Sequence, residues 1–150
     1  MNPSLRDLYQ RTILDHNARP HNHGALPART HEARVHNPLC GDNVILRLRL
    51  DGGRIAEARF EGDGCALSRA SASLLTIAVT GRTPEEATSI ATEIDKLVSR
   101  GPEHESADWP ALGDSVSLEG VREVPARKRC ATLPWEALRA ALVKPVDPGQ

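Results

Sequence analysis

Apolar residues in LRDLYQRTILDH, residues 5 to 16, recur at helical spacing: Leu5, Leu8, Tyr9, Thr12 and Ile13 share one face. Pro20 and Gly24 mark the stop, so a first amphipathic helix is predicted. The period then changes to two. In VILRLRL, Val44, Leu46, Leu48 and Leu50 face one way and Arg47 and Arg49 the other, the pattern of a half-buried strand. Asp51-Gly52-Gly53 is turn chemistry, and Arg54 to Phe60 alternates again, with Ala56, Ala58 and Phe60 opposite Glu57 and Arg59. These two runs predict a hairpin, and the weaker pattern of Glu32 to Asn37 predicts a third strand.

Helical signals return after the hairpin. GDGCALSRASASLLTIAVTG opens on small residues, carries Leu74, Leu75, Ile77 and Val79, and closes at Gly81, which predicts a helix packed tightly on the sheet. Thr83-Pro84-Glu85-Glu86 supplies an N-cap, a proline at the first helical position and acids in the first turn, so a further helix should run to about Val98. Residues 101 to 120, with Pro102 and Pro110, lack a period and predict a loop with a short helical piece. A last helix is expected to begin between Cys130 and Pro134 and to end before Pro145, turning Leu138 and Leu142 inward. Neither a repeat nor a linker is visible. The expected architecture is therefore a single domain spanning 1–150, α+β, with a small three-stranded antiparallel sheet carrying helices on one face.

Composition narrows the function classes. With 19 Lys and Arg against 20 Asp and Glu, scattered along 150 residues, the chain lacks the concentrated positive charge that phosphate binding requires. Two tryptophans, one tyrosine and one phenylalanine are too few for base-stacking platforms. No nucleic acid is expected as a partner. No apolar run is long enough to span a membrane and the N-terminus lacks signal-peptide features, so the expected compartment is the cytoplasm.

Three cysteines in such a chain point to metal or thiol chemistry before a disulfide framework. Each stands at a junction: Cys40 before a strand, Cys65 in the glycine turn before a helix, Cys130 at the start of the last helix. Helix starts favour an anion, Gly41, Gly62 and Gly64 permit close backbone approach, and Arg127, Lys128 and Arg129 beside Cys130 are expected to lower its pKa. Three thiols plus Asp42 supply four anionic donors, the number a tetrahedral zinc takes. Spacing alone leaves the alternatives open, since free cysteines are also common as small core hydrophobes and an aspartate after Gly41 also caps turns. His21 and His23 form an H-x-H pair without further ligands, His16 is expected to fix the end of the first helix, and His31, His36 and His104 read as surface residues.

Four blocks, LYQRTILDHNARPHNHG, NPLCGDNV, FEGDGCALSRASASLL and PARKRCATLPWEALRAAL, resemble in order and over nearly the whole chain the IscU/SufU family of iron-sulfur cluster assembly proteins. The family's scaffold branch carries a histidine directly before its last cysteine, where this chain has Arg129. Arg127, Arg129 and an insertion at about 101–120 are instead similar to the SufU branch. Arg19 departs from the family's asparagine before the proline, at a position that holds no ligand. The resemblance implies Cys40, Asp42, Cys65 and Cys130 as zinc ligands and Cys40 as sulfur acceptor; Arg127 is open to contacting the acidic ligand, to steering the incoming persulfide, or to standing as a solvated arginine beside a helix start. It implies a zinc-dependent sulfurtransferase that takes persulfide sulfur from a SufS-like cysteine desulfurase and passes it on towards cluster assembly, with a downstream cluster scaffold as a further partner. The alternative it leaves is a scaffold holding a [2Fe-2S] cluster on the same residues.

Overall fold

The structure, a computed structural model, describes residues 3–38, 41–100 and 113–146. Helix α1 spans Pro3–Ala18 and is followed by strands β1 (His31–Asn37), β2 (Asp42–Asp51) and β3 (Arg54–Glu61). Helices α2 (Ala66–Val79) and α3 (Pro84–Arg100), two 3-10 segments (Gly113–Glu123 and Pro125–Arg127) and helix α4 (Lys128–Leu142) complete the order among the described residues. The predicted insertion is thus in part a 3-10 segment, and its residues 101–112, His104 among them, lie outside the described residues.

The sheet has the order β1-β2-β3 and is antiparallel throughout. Its alternation is that of the sequence: Val44, Leu46 and Leu48 are buried, with Ala33 across from Leu46 on one side and Phe60 on the other. The opposite face is ionic. Arg47 Nε meets Glu32 Oε1 at 2.8 Å and its Nη1 meets Glu61 Oε2 at 3.4 Å, while Arg49 Nε meets Glu57 Oε1 at 3.3 Å. Half-exposed pairs of this kind add little stability but keep the uncovered face polar.

Gly52 and Gly53 both take positive φ, as a two-residue hairpin turn demands. One expectation fails here. A register irregularity between Arg49 and Leu50 lets Leu50 pair with Ile55, so fully buried Ile55 joins Ala58 and Phe60 in the core and Ala56 is only half-buried. An extra residue in one strand changes which side chains face inward, and strict alternation does not anticipate it.

Helices α2 and α4 pack on the apolar face of the sheet, α1 lies against α2, and α3 lies against α4. Fully buried Ala70 and Ala72 on α2 and Ala131, Ala137 and Ala141 on α4 let these elements approach closely, and fully buried Leu74, Leu75, Leu133 and Leu138 fill the space between them. Helix α3 begins on a reciprocal cap: Glu86 N donates to Thr83 Oγ1 at 3.2 Å and Thr83 N donates to Glu86 Oε1 at 2.9 Å. These contacts bring the start of β2 and the starts of α2 and α4 to one end of the sheet.

A cysteine and aspartate cluster as candidate metal centre

Strand β2 starts at Asp42, α2 is capped by Cys65, and Cys130 lies in the first turn of α4. One ligand atom from each of Asp42, Cys65 and Cys130 lies within 4.8 Å of the others. Asp42 and Cys130 are buried and Cys65 is half-buried. Among the described residues this is the one group of three histidine, cysteine or acidic side chains gathered so closely. Cys40, two residues before Asp42, lies outside the described residues.

The loop between β3 and α2 sets the approach. Asn43 N donates to the Asp63 carbonyl at 2.7 Å, and Cys65 N donates to Asp42 Oδ1 at 2.9 Å. Gly62 takes φ +140°, and a Cβ there would run into the Asn43 carbonyl; a Cβ on Gly64 would lie 3.1 Å from Asp42 Oδ1. Both glycines are therefore present for close approach, as expected. Gly41 differs: nothing lies near a Cβ at that position, and its role is its φ of +75° in the turn where its N–H donates to the Asn37 carbonyl.

At the α2 end, Cys65 Sγ accepts from Ser68 N at 3.5 Å, so the thiol occupies the place of a capping hydroxyl among free helix N–H groups. Its own S–H points to Asp42 Oδ2 at 3.6 Å. The sequence suggested that the basic run before Cys130 would lower its pKa, and the structure corrects this. The Cys130 thiol is pushed up to about 12, first by burial and then by the neighbouring Cys65 and Asp42. Of the three basic residues, Arg127 faces the thiols of Cys130 and Cys65, whose proximity raises its own pKa. Arg129 turns away to Glu136 at 3.3 Å. Burying acidic groups together outweighs one exposed guanidinium.

That imbalance tests the site against a metal. Two soft sulfurs and a hard carboxylate share a space in which burial and the neighbouring acidic groups disfavour ionisation of Cys130, and a divalent cation would offset that cost. The donor set fits zinc, and its thiolates equally suit iron in a sulfide cluster.

The histidines divide differently from the expectation. Instead of fixing only the end of α1, His16 is buried and its Nδ1 bonds Ser73 Oγ on α2 at 2.6 Å, where Ser73 Oγ also accepts the His21 N–H at 2.7 Å. The ring of His21 lies 5.0 Å from that of His16, whereas His23 sits edge-on to Phe60 at 5.2 Å. The H-x-H pair is thus spent on packing contacts. Sequence reasoning also missed the Ser68 backbone N–H at the Cys65 cap and the buried Ser71, because a serine-rich helix interior gives no sign of which hydroxyl reaches across.

The fold and this cluster define a small α+β protein with a thiol and carboxylate centre at one end of its sheet. Residues 8–131 match the NifU-like N terminal domain family. The chain belongs to that family and to its IscU/SufU members. It is 39% identical over 143 residues, 95% of each chain, to the zinc-dependent sulfurtransferase SufU of Bacillus subtilis. It is 38% identical over 138 residues, 92% of this chain and 84% of the relative, to the iron-sulfur cluster assembly scaffold protein IscU of Streptococcus pyogenes. The crystal structure of the SUF-system protein FiSufU from Fervidobacterium islandicum superimposes with a TM-score of 0.80 at 29% identity, covering 91% of this chain and 98% of that one. Among the described residues no helix is long and apolar enough to cross a membrane.

Proposed function

We propose that the protein is a zinc-dependent sulfurtransferase of iron-sulfur cluster assembly, accepting persulfide sulfur from a SufS-like cysteine desulfurase. The observation that carries the reading is the convergence of Asp42, Cys65 and Cys130, with exposed Arg127 facing the thiols. The likeness to a named sulfurtransferase along 95% of both chains supports it. In this reading Cys40 completes a tetrahedral set with Asp42, Cys65 and Cys130. Zinc bound there would hold the thiols as thiolates near neutral pH.

The transfer itself is thiol exchange. The Cys40 thiolate attacks the outer sulfur of the donor's persulfide, the donor S–S bond breaks, and the donor cysteine leaves as a thiolate. Cys40 then carries the persulfide. An oxygen donor among three sulfurs leaves the set less tightly closed than four cysteines would, which suits a cysteine that must leave and return. Arg127, exposed beside the thiols, is suited to steer the anionic persulfide.

The test is desulfurase turnover with the wild-type protein and with Cys40→Ser. Stimulation that is lost in the variant supports the transferase; stimulation unchanged in the variant removes Cys40 from the role. The scaffold reading keeps a specific support of its own, the comparable likeness to Streptococcus pyogenes IscU. Iron with acid-labile sulfide in the purified protein, and no stimulation of turnover, would favour it.

A further inference from the structure

Cys65 and Cys130 belong to different helices, and a shared site requires that these helices keep their spacing. Six residues after Cys65 on α2, fully buried Ser71 makes the buried polar link between them. Ser71 Oγ donates to the carbonyl of Ala131, the residue after Cys130, at 2.5 Å. The same oxygen accepts the indole N–H of fully buried Trp135 at 3.1 Å. A serine within a helix ordinarily returns its hydroxyl to a carbonyl of its own preceding turn. Here the proton crosses to α4 instead.

Helix α4 has a reason to need that bond. Pro134 lies inside it and has no N–H, so the Cys130 carbonyl receives no bond from the residue four positions on. The first turn of α4, which presents Cys130, is therefore held less firmly by its own ladder. The Ser71 hydroxyl anchors it at the adjacent carbonyl, and Trp135 fixes the orientation of that hydroxyl.

We propose that Ser71 is a positioning residue that sets the separation of Cys65 and Cys130 through this hydroxyl bridge; the proposal rests on the reading of these cysteines as metal ligands. Ser71 touches neither thiol in this role. It acts on where the thiols stand.

Two readouts test it. In chelator competition with zinc alone, Ser71→Ala should bind roughly 10- to 100-fold more weakly than wild type, the range seen when residues supporting metal ligands are removed. Ser71→Thr, which keeps the hydroxyl, should restore most of the affinity. Ser73→Ala removes a hydroxyl from the same helix, but one bonded to His16 and His21, and should leave zinc affinity unchanged. In the metal-free proteins, amide hydrogen exchange in residues 128–135 should lose protection in Ser71→Ala and not in Ser73→Ala. Should Ser71→Ala not fold, Trp135→Phe provides a second route, with a smaller change in the same direction.

Unchanged zinc affinity and unchanged exchange in Ser71→Ala, or equal losses in Ser73→Ala, would overturn the proposal. Loss of protection in Ser71→Ala, in a protein whose wild type binds no zinc, would overturn the zinc reading and leave the helix bridge standing.

Discussion

Asp42 and Cys65 are joined twice: Asp42 Oδ1 accepts the Cys65 backbone N–H at 2.9 Å, and Asp42 Oδ2 lies 3.6 Å from Cys65 Sγ. One carboxylate thus ties the start of β2 to the start of α2 and faces the thiols with its second oxygen. The two roles can be separated by substitution. Asp42→Ala leaves the Cys65 N–H without this acceptor and should lower the stability of the metal-free protein by about 1–3 kcal/mol in denaturant unfolding. Asp42→Asn retains an acceptor and should cost less. Both variants should bind zinc more weakly, because both remove the anionic donor.

Gly62 is where the loop passes the Asn43 carbonyl. Gly62→Ala places a methyl against backbone at φ +140°, so either the loop moves or the strain is kept. Backbone strain of this kind costs about 1–3 kcal/mol, and the collision adds to it. A lowered melting temperature together with weakened zinc binding is expected. Gly41→Ala meets no collision, and its cost is the strain of a side chain at φ +75° in the turn between Cys40 and Asp42.

The legibility of the fold follows from how local each signal is. The alternation of Val44 to Leu50, the Gly52-Gly53 turn and the Thr83 to Glu86 cap each depend on neighbours in sequence, and each predicted its element. Ile55 was missed because a register irregularity decides its burial, and the raised Cys130 pKa because burial and contacts from β2 and α2 decide it. The meeting of Asp42, Cys65 and Cys130 lies between these cases. Residue type and junction position made it one of two open readings, and the family resemblance chose between them.

His16 supplies a pH dependence away from the cluster. Its pKa is lowered by burial and by His21, effects that Asp114 and Asp15 only partly offset. The unfolded chain therefore takes up a proton near pH 6.5 that the folded protein still refuses, so stability is present above that pH and is lost as pH falls below it. His31, also lowered by burial, adds in the same direction. Denaturant unfolding between about pH 7.5 and 5.5 should show declining stability, with a shallower slope in His16→Gln.

Arg127 faces the thiols without being buried, so under the proposed function it serves transfer more than folding. Arg127→Ala should slow sulfur uptake from the desulfurase at least tenfold while the protein keeps its zinc and its melting temperature. Arg127→Lys should recover part of the rate, since an ammonium supplies charge without the planar fork of donors. Loss of zinc in Arg127→Ala would instead assign the residue to holding the site together.

The most direct test of the central claim is X-ray absorption at the metal of the protein as purified. One zinc per chain, with three sulfur donors and one oxygen donor, is the result expected of Cys40, Cys65, Cys130 and Asp42 acting together. Zinc without that donor set, or iron with sulfide neighbours in its place, would contradict it.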